Sequence, residues 1–107
     1  MAYNGVAILR GKPMIGTMLS MTDRQMITDL ASKYAVKGVF LFGSAAKLEA
    51  GYRDIDLAVE GIRPQDFFRL HGELLSRLSH PVDLIDLDEP SPFTRFLKEE
   101  GKLVRVA

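Results

Sequence analysis

Asp54 and Asp56 stand one residue apart in the run Asp54-Ile55-Asp56-Leu57, with Val59 continuing the apolar positions. Successive side chains on a β-strand point to opposite faces, so the two carboxylates share a face roughly 7 Å apart along the strand. Ile55, Leu57 and Val59 take the other face and anchor the strand to a core. Aspartate is depleted in strand interiors, so two on one face need a reason. Hard carboxylate oxygens held on a rigid element suit a divalent cation such as Mg2+. Nine residues separate Asp54 from Gly43-Ser44, which abruptly ends the apolar run Val39-Phe40-Leu41-Phe42. If Gly43-Ser44 opens a helix, free backbone N–H groups and a hydroxyl face any phosphate placed there. The two features together describe a metal-plus-triphosphate site.

A second pair of acids lies in Val82-Asp83-Leu84-Ile85-Asp86-Leu87. Strand alternation puts residues three apart on opposite faces, so only one of Asp83 and Asp86 can join Asp54 and Asp56. Asp88 and Glu89 read as a solvated loop. Other chemistries are excluded by what is missing. Ser44 has no Gly-x-Ser-x-Gly elbow around it. The chain lacks both the P-loop and the Rossmann glycine pattern. His71 lies on an apolar helical stripe and reads as a packing residue, and His80 precedes Pro81 at a helix end. Phe67 and Phe68 read as core, and Lys98, Glu99, Glu100 and Lys102 as a solvated helix end.

Those acids need strands and helices to hold them. Thr22-Asp23-Arg24-Gln25 reads as a capping box, after which Met26, Ile27, Leu30, Ala31 and Tyr34 share one helical stripe. Lys37-Gly38 breaks that helix, and Val39 to Phe42 follow as a strand apolar on both faces, as a central strand would be. Ser44 to about Ala50 is expected to form a short helix, and Gly51-Tyr52-Arg53 a turn into a strand from Asp54 to Val59. Gly61 ends that strand, and Pro64 suits a first helical position. Phe67, Phe68, His71, Leu74, Leu75 and Leu78 then mark the buried side of a helix ending near Ser79. Val82 to Leu87 form a third strand. Ser91-Pro92 starts a last helix with Phe93, Phe96 and Leu97 inward and Gly101 as its stop. Leu103, Val104 and Val106 close the chain as a short strand. The expected order is α-β-α-β-α-β-α-β: an α/β (α+β) fold, a small mixed sheet with helices mainly on one face. Residues 1–21 read as a flexible arm, with a hairpin of Val6–Leu9 and Met14–Leu19 as the other reading, and residues 22–107 as the domain.

At 107 residues there is material for one domain. Fourteen basic side chains balance fourteen acidic ones, a poor match for general nucleic-acid binding, which relies on many Lys and Arg contacts. Without cysteine there is no disulfide framework, thiolate zinc site or catalytic thiol. No apolar run reaches the length of a membrane span, and Val6 to Leu9 is too short for a signal-peptide core. A cytoplasmic location is the expectation.

Gly43-Ser44, nine residues, Asp54-Ile55-Asp56 resembles the signature of the DNA polymerase β-like nucleotidyltransferase superfamily. In so short a chain it looks most like the minimal nucleotidyltransferases, often encoded beside a small helical HEPN-domain protein. The resemblance runs from about Thr22 to the C-terminus and implies a polymerase β-like palm. It implies that Asp54 and Asp56 hold two Mg2+ ions, that Gly43 and Ser44 cradle the β and γ phosphates of ATP, and that a third acid shares metal and takes the acceptor proton. The family places that acid in a run like Val-Asp-Leu, which favours Asp83 and leaves Asp86 as the alternative. Members commonly carry Arg soon after Gly-Ser, where this chain has Ala45 and Ala46 before Lys47, and a small polar residue where it has Arg53. Lys47 and Arg53 are therefore the candidate phosphate cations. No residues remain for an acceptor domain, so the acceptor is expected on another polypeptide. By resemblance that is a HEPN-type toxin adenylylated on tyrosine, with this chain its antitoxin. The rival expectation is a module that neutralises its partner by binding alone, and homo-oligomerisation stays open.

Overall fold

Val39 and Leu41 are inward on one side of a strand whose other side carries Phe40 and Phe42, and this all-apolar strand sits inside the sheet. The computed structural model describes residues 19–43 and 51–107. The expected N-terminal hairpin, apart from Leu19, the expected short helix after Gly43, and Ser44 and Lys47 all fall outside the described residues. The elements are α1 (Met21–Lys33), β1 (Gly38–Phe42), β2 (Ile55–Glu60), α2 (Pro64–Arg77), β3 (Val82–Asp86), α3 (Pro92–Glu99) and β4 (Val104–Arg105). The sheet order is β3-β2-β1-β4. β1 runs antiparallel to both β2 and β4, while β2 and β3 are parallel and joined through α2. The sheet is therefore mixed, as expected.

Alternation along β2 divides the molecule. Ile55, Leu57 and Val59 are fully buried in one cluster with Leu41, Val82 and Leu84, under Ile27 and Leu30 of α1 and Leu70 and Leu74 of α2. Each such side chain contributes about 1.5–3 kcal/mol by leaving water. On the opposite face Ala58, Leu87 and Leu97 form a smaller cluster with Phe40, Phe42 and Ile85, covered by α3. Two of the three described helices thus share a face.

Several local expectations are corrected. Ser20, not Thr22, caps α1: its hydroxyl accepts from Asp23 N at 3.0 Å. The Asp23 carboxylate is itself buried and bonded to the backbone and hydroxyl of Ser79, which fixes the helix start through a contact 56 residues away. The chain leaves α1 through Ala35, at φ 53, before Lys37-Gly38 is reached. Leu19, just before α1, is buried in the main cluster. Phe68, Leu75, Phe93 and Phe96 are exposed rather than inward, Phe68 at 80%. At about 100° per residue, Phe68 and Leu75 lie about 100° or more from both Leu70 and Leu74, outside the stripe those leucines define. In α3 the buried pair is Thr94 and Leu97, because Thr94 Oγ1 donates to Glu89 O at 2.7 Å and fixes the helix rotation. Ser91 caps α3 as expected, with a capping box closed by Thr94.

Candidate functional site

The register across three strands sets one row: Phe42 pairs with Asp56, and Asp56 pairs with Asp83. Laterally paired residues share a face, so Asp56 and Asp83 stand side by side on the side opposite the main core. Asp54 lies on the extended segment just before β2, two residues from Asp56 and on the same face by alternation. Asp86 is paired with Val59, belongs to the other face, and accepts from Asp88 N at 2.9 Å. The sheet thus gathers Asp54, Asp56 and Asp83 and leaves Asp86 out.

Gly43 closes over this row. It has φ +79, where a side chain is strained, and a Cβ built on it would lie 2.2 Å from Asp56 Oδ2. The residue after β1 therefore has to be glycine for backbone reasons and for space. The Gly43 backbone lies directly against the carboxylate that the second strand delivers. Ser44 and Lys47 lie outside the described residues, and Arg53 is exposed beside Asp54.

Electrostatics single out Asp56. Burial pushes its pKa up, and the charges of Asp83 and Asp54 and a hydrogen bond with Asp83 push it further in the same direction. Three negative groups compete for one region with no described cation paired to any of them. Among the described residues no group of three or more His, Asp or Glu side chains is placed so that it could hold a metal ion as it stands. The donor set nonetheless fits a hard divalent cation in kind: carboxylate oxygens only, crowded by like charge that a cation would relieve.

Neighbouring contacts fix the approach to the row. His71 Nε2 meets Val82 O at 2.7 Å, pinning α2 to the residue before Asp83. Ser79 joins Asp23 of α1 to His80, whose ring packs on Tyr52 at 4.6 Å, so the turn entering β2 leans on the turn entering β3. His80 is thus a structural contact at the turn that enters β2. Arg24 has buried Nε and Nη2 atoms with no hydrogen-bond partner among the described residues, and burial lowers its pKa. Nothing in its helical setting signalled that.

A mixed four-stranded sheet with a carboxylate row beneath a glycine turn is the frame of a nucleotidyltransferase palm. The family model for "Polymerase beta, Nucleotidyltransferase" matches residues 25–105, and the chain belongs to that family. It is similar to a solved structure described as the crystal structure of a toxin-antitoxin with AMP-PNP, at 26% identity and TM-score 0.61, covering 78% of this chain and 72% of that one. It is similar in fold to the crystal structure of the toxin-antitoxin MntA-HepT, at 21% identity and TM-score 0.59, covering 82% of this chain and 72% of that one. No curated protein matches it in sequence. No described helix is long and apolar enough to cross a membrane.

Proposed function

We propose that the chain is an antitoxin nucleotidyltransferase that moves AMP from ATP onto a hydroxyl, a tyrosine in the favoured case, of a HEPN-type partner toxin. The observation that carries this reading is the Asp56–Asp83 pairing beneath Gly43, with Asp54 alongside. The toxin-antitoxin neighbours, one of them solved with AMP-PNP, support the nucleotide and the partner.

Asp54, Asp56 and Asp83 would hold Mg2+, two ions in the full reading. Bound there, the metal supplies charge neutralisation of the triphosphate and acidifies the acceptor hydroxyl. The chain's own residues do the rest. Gly43 brings its backbone close to the phosphates because no side chain intervenes, and Ser44, Lys47 and Arg53 are the groups assigned to the β and γ oxygens. Asp83, more exposed than Asp56, takes up the proton of the acceptor hydroxyl as its oxygen attacks the α-phosphorus. One O–P bond forms, the α–β bridging bond breaks, and pyrophosphate leaves. Asp56, crowded and partly buried, is held by its neighbours and serves as a ligand rather than a base.

The test is incubation with Mg2+, α-labelled ATP and the product of the adjacent gene. The expected result is label on a hydroxyl of that partner, abolished by Asp56→Asn. The altered cations after Ser44 favour one competing reading, inhibition by binding alone. A partner that is silenced but unmodified, by mass spectrometry, would establish that reading and overturn ours.

A further inference from the structure

Of the chain's six phenylalanines, Phe68, Phe93 and Phe96 are exposed, while Phe67 is partly buried against the main cluster. Phe67 and Phe68 at the start of α2 and Phe93 at the start of α3 line a groove of about 470 Å³ that wraps the end of β3 at Ile85. Phe96, one helical turn after Phe93, continues the surface and is 54% exposed. Single exposed apolar residues are ordinary, but a contiguous aromatic set around a groove marks a recognition surface. β3 is also an edge strand among the described residues, the kind of position at which a neighbour can pair.

The charge of the groove specifies the neighbour. Its charged lining residues are Asp86 and Glu89, both acidic, and neither has an ion pair among the described residues. An occupant that buried them without a cation would be penalised for the desolvated carboxylates. The groove also reaches toward the carboxylate row. Phe93 packs edge-on against Phe42 at 6.1 Å, and Phe42 is the residue paired with Asp56. On β3, Ile85 shares its face with Asp83 by alternation.

We propose that this groove docks the acceptor protein, through a segment that presents apolar side chains beside a lysine or arginine. The inference rests on the reading of a partner-borne acceptor and deepens it by assigning where that partner binds. Docking here sets the acceptor on the edge of β3 that carries Asp83, so recognition and proton acceptance share one strand.

The test uses the full chain and the product of the adjacent gene, with partner affinity by calorimetry, Mg-ATP affinity by calorimetry and transfer by α-label. Phe68→Asp is expected to weaken partner binding about tenfold or more, as loss of an aromatic anchor does, while Mg-ATP affinity is unchanged. Glu89→Lys, at an exposed position that leaves folding intact, is expected to weaken the complex and remove its sensitivity to salt. If the parent binds and labels its partner and both variants do so equally, the groove assignment is overturned and the proposed function stands. If the parent neither binds nor labels, the function falls and the groove with it. Self-association of the parent that Phe68→Asp abolishes would make the occupant a second copy and overturn the proposal.

Discussion

Gly43→Ala is the most direct probe of how the two strands meet. A non-glycine residue at φ +79 is strained by about 1–2 kcal/mol. The added methyl would also lie 2.2 Å from Asp56 Oδ2, where real Cβ atoms essentially never approach within 3.0 Å. The carboxylate must therefore retreat by about 1 Å to ordinary contact, and its neighbours Asp83 and Asp54 repel it in the directions they occupy. Strain alone lowers the melting temperature by roughly 5–15 °C at this domain size. A carboxylate displaced by about 1 Å lowers transfer by about a hundredfold.

The two contributions separate in an Asp56→Ala background. There the nearest remaining atom of residue 56 is its Cβ at 3.4 Å, an ordinary contact, so only the backbone strain persists. Thermal unfolding by circular dichroism of the parent, the two single variants and the double variant gives the coupling between the sites. We expect Gly43→Ala to be more destabilising with Asp56 present than in the Asp56→Ala background. Equal effects in both backgrounds, or a Gly43→Ala protein with parental melting and parental transfer, would refute the packing of Gly43 on Asp56.

Three further outcomes follow from the same geometry. Asp83→Asn should abolish labelling of the partner and Asp86→Asn should leave most of it; the reverse would put the third acid on the other face, an odd slip in register. Without metal, Asp56→Asn should raise the melting temperature, because burial and then the charges of Asp83 and Asp54 disfavour ionised Asp56; a lower value would contradict that electrostatic picture. Glu73 accepts from Lys33 Nζ and from the Tyr34 hydroxyl, which hold its pKa below the ordinary 4.5. A depressed carboxylate stabilises above its unfolded pKa and loses that contribution as pH falls through the folded value. Melting curves of the parent should therefore drop more steeply than those of Glu73→Gln as pH falls below 4.5, and parallel curves would remove the cluster from the stability of the α1–α2 contact.

The sequence disclosed what depends on short-range pattern. A strand apolar on both faces could only be interior, and β1 is flanked by β2 and β4. The parity of Asp83 and Asp86 followed from a period of two, and the register bears it out, pairing Asp83 with Asp56 and Asp86 with Val59. What escaped depends on contacts between distant segments. Thr22 and Ser20 offer the same capping chemistry, and the choice between them is made by Asp23 reaching Ser79. The apolar positions of α2 span more of the helix than the sheet can cover, so the sequence could not say that Leu70 and Leu74 go in while Phe68 and Leu75 stay out. The packing of Gly43 on Asp56 is likewise a fact of register between strands, invisible in the spacing of the two motifs.

The same alternation explains how a crowded acidic row survives in a small domain. Asp56 is disfavoured where it sits, yet Ile55 and Leu57 on either side of it are fully buried beneath α1 and α2. Burying two such side chains contributes about 3–6 kcal/mol, and Leu41, one residue before the Phe42 that pairs with Asp56, adds a third. That is ample to hold one strained carboxylate in register. The opposite face divides along its length: α3 and its Leu97 cover Ala58 and Ile85, and at eight residues the helix does not extend its cover to Asp54 and Asp83, which stay exposed. A shift of β2 by one residue would turn both aspartates into the main core and remove Ile55, Leu57 and Val59 from it, so the core that stabilises the domain is also what aims its acids outward. The stability of the sheet and the position of the carboxylates are therefore one property of β2, and truncations on its buried face should cost stability and carboxylate placement together.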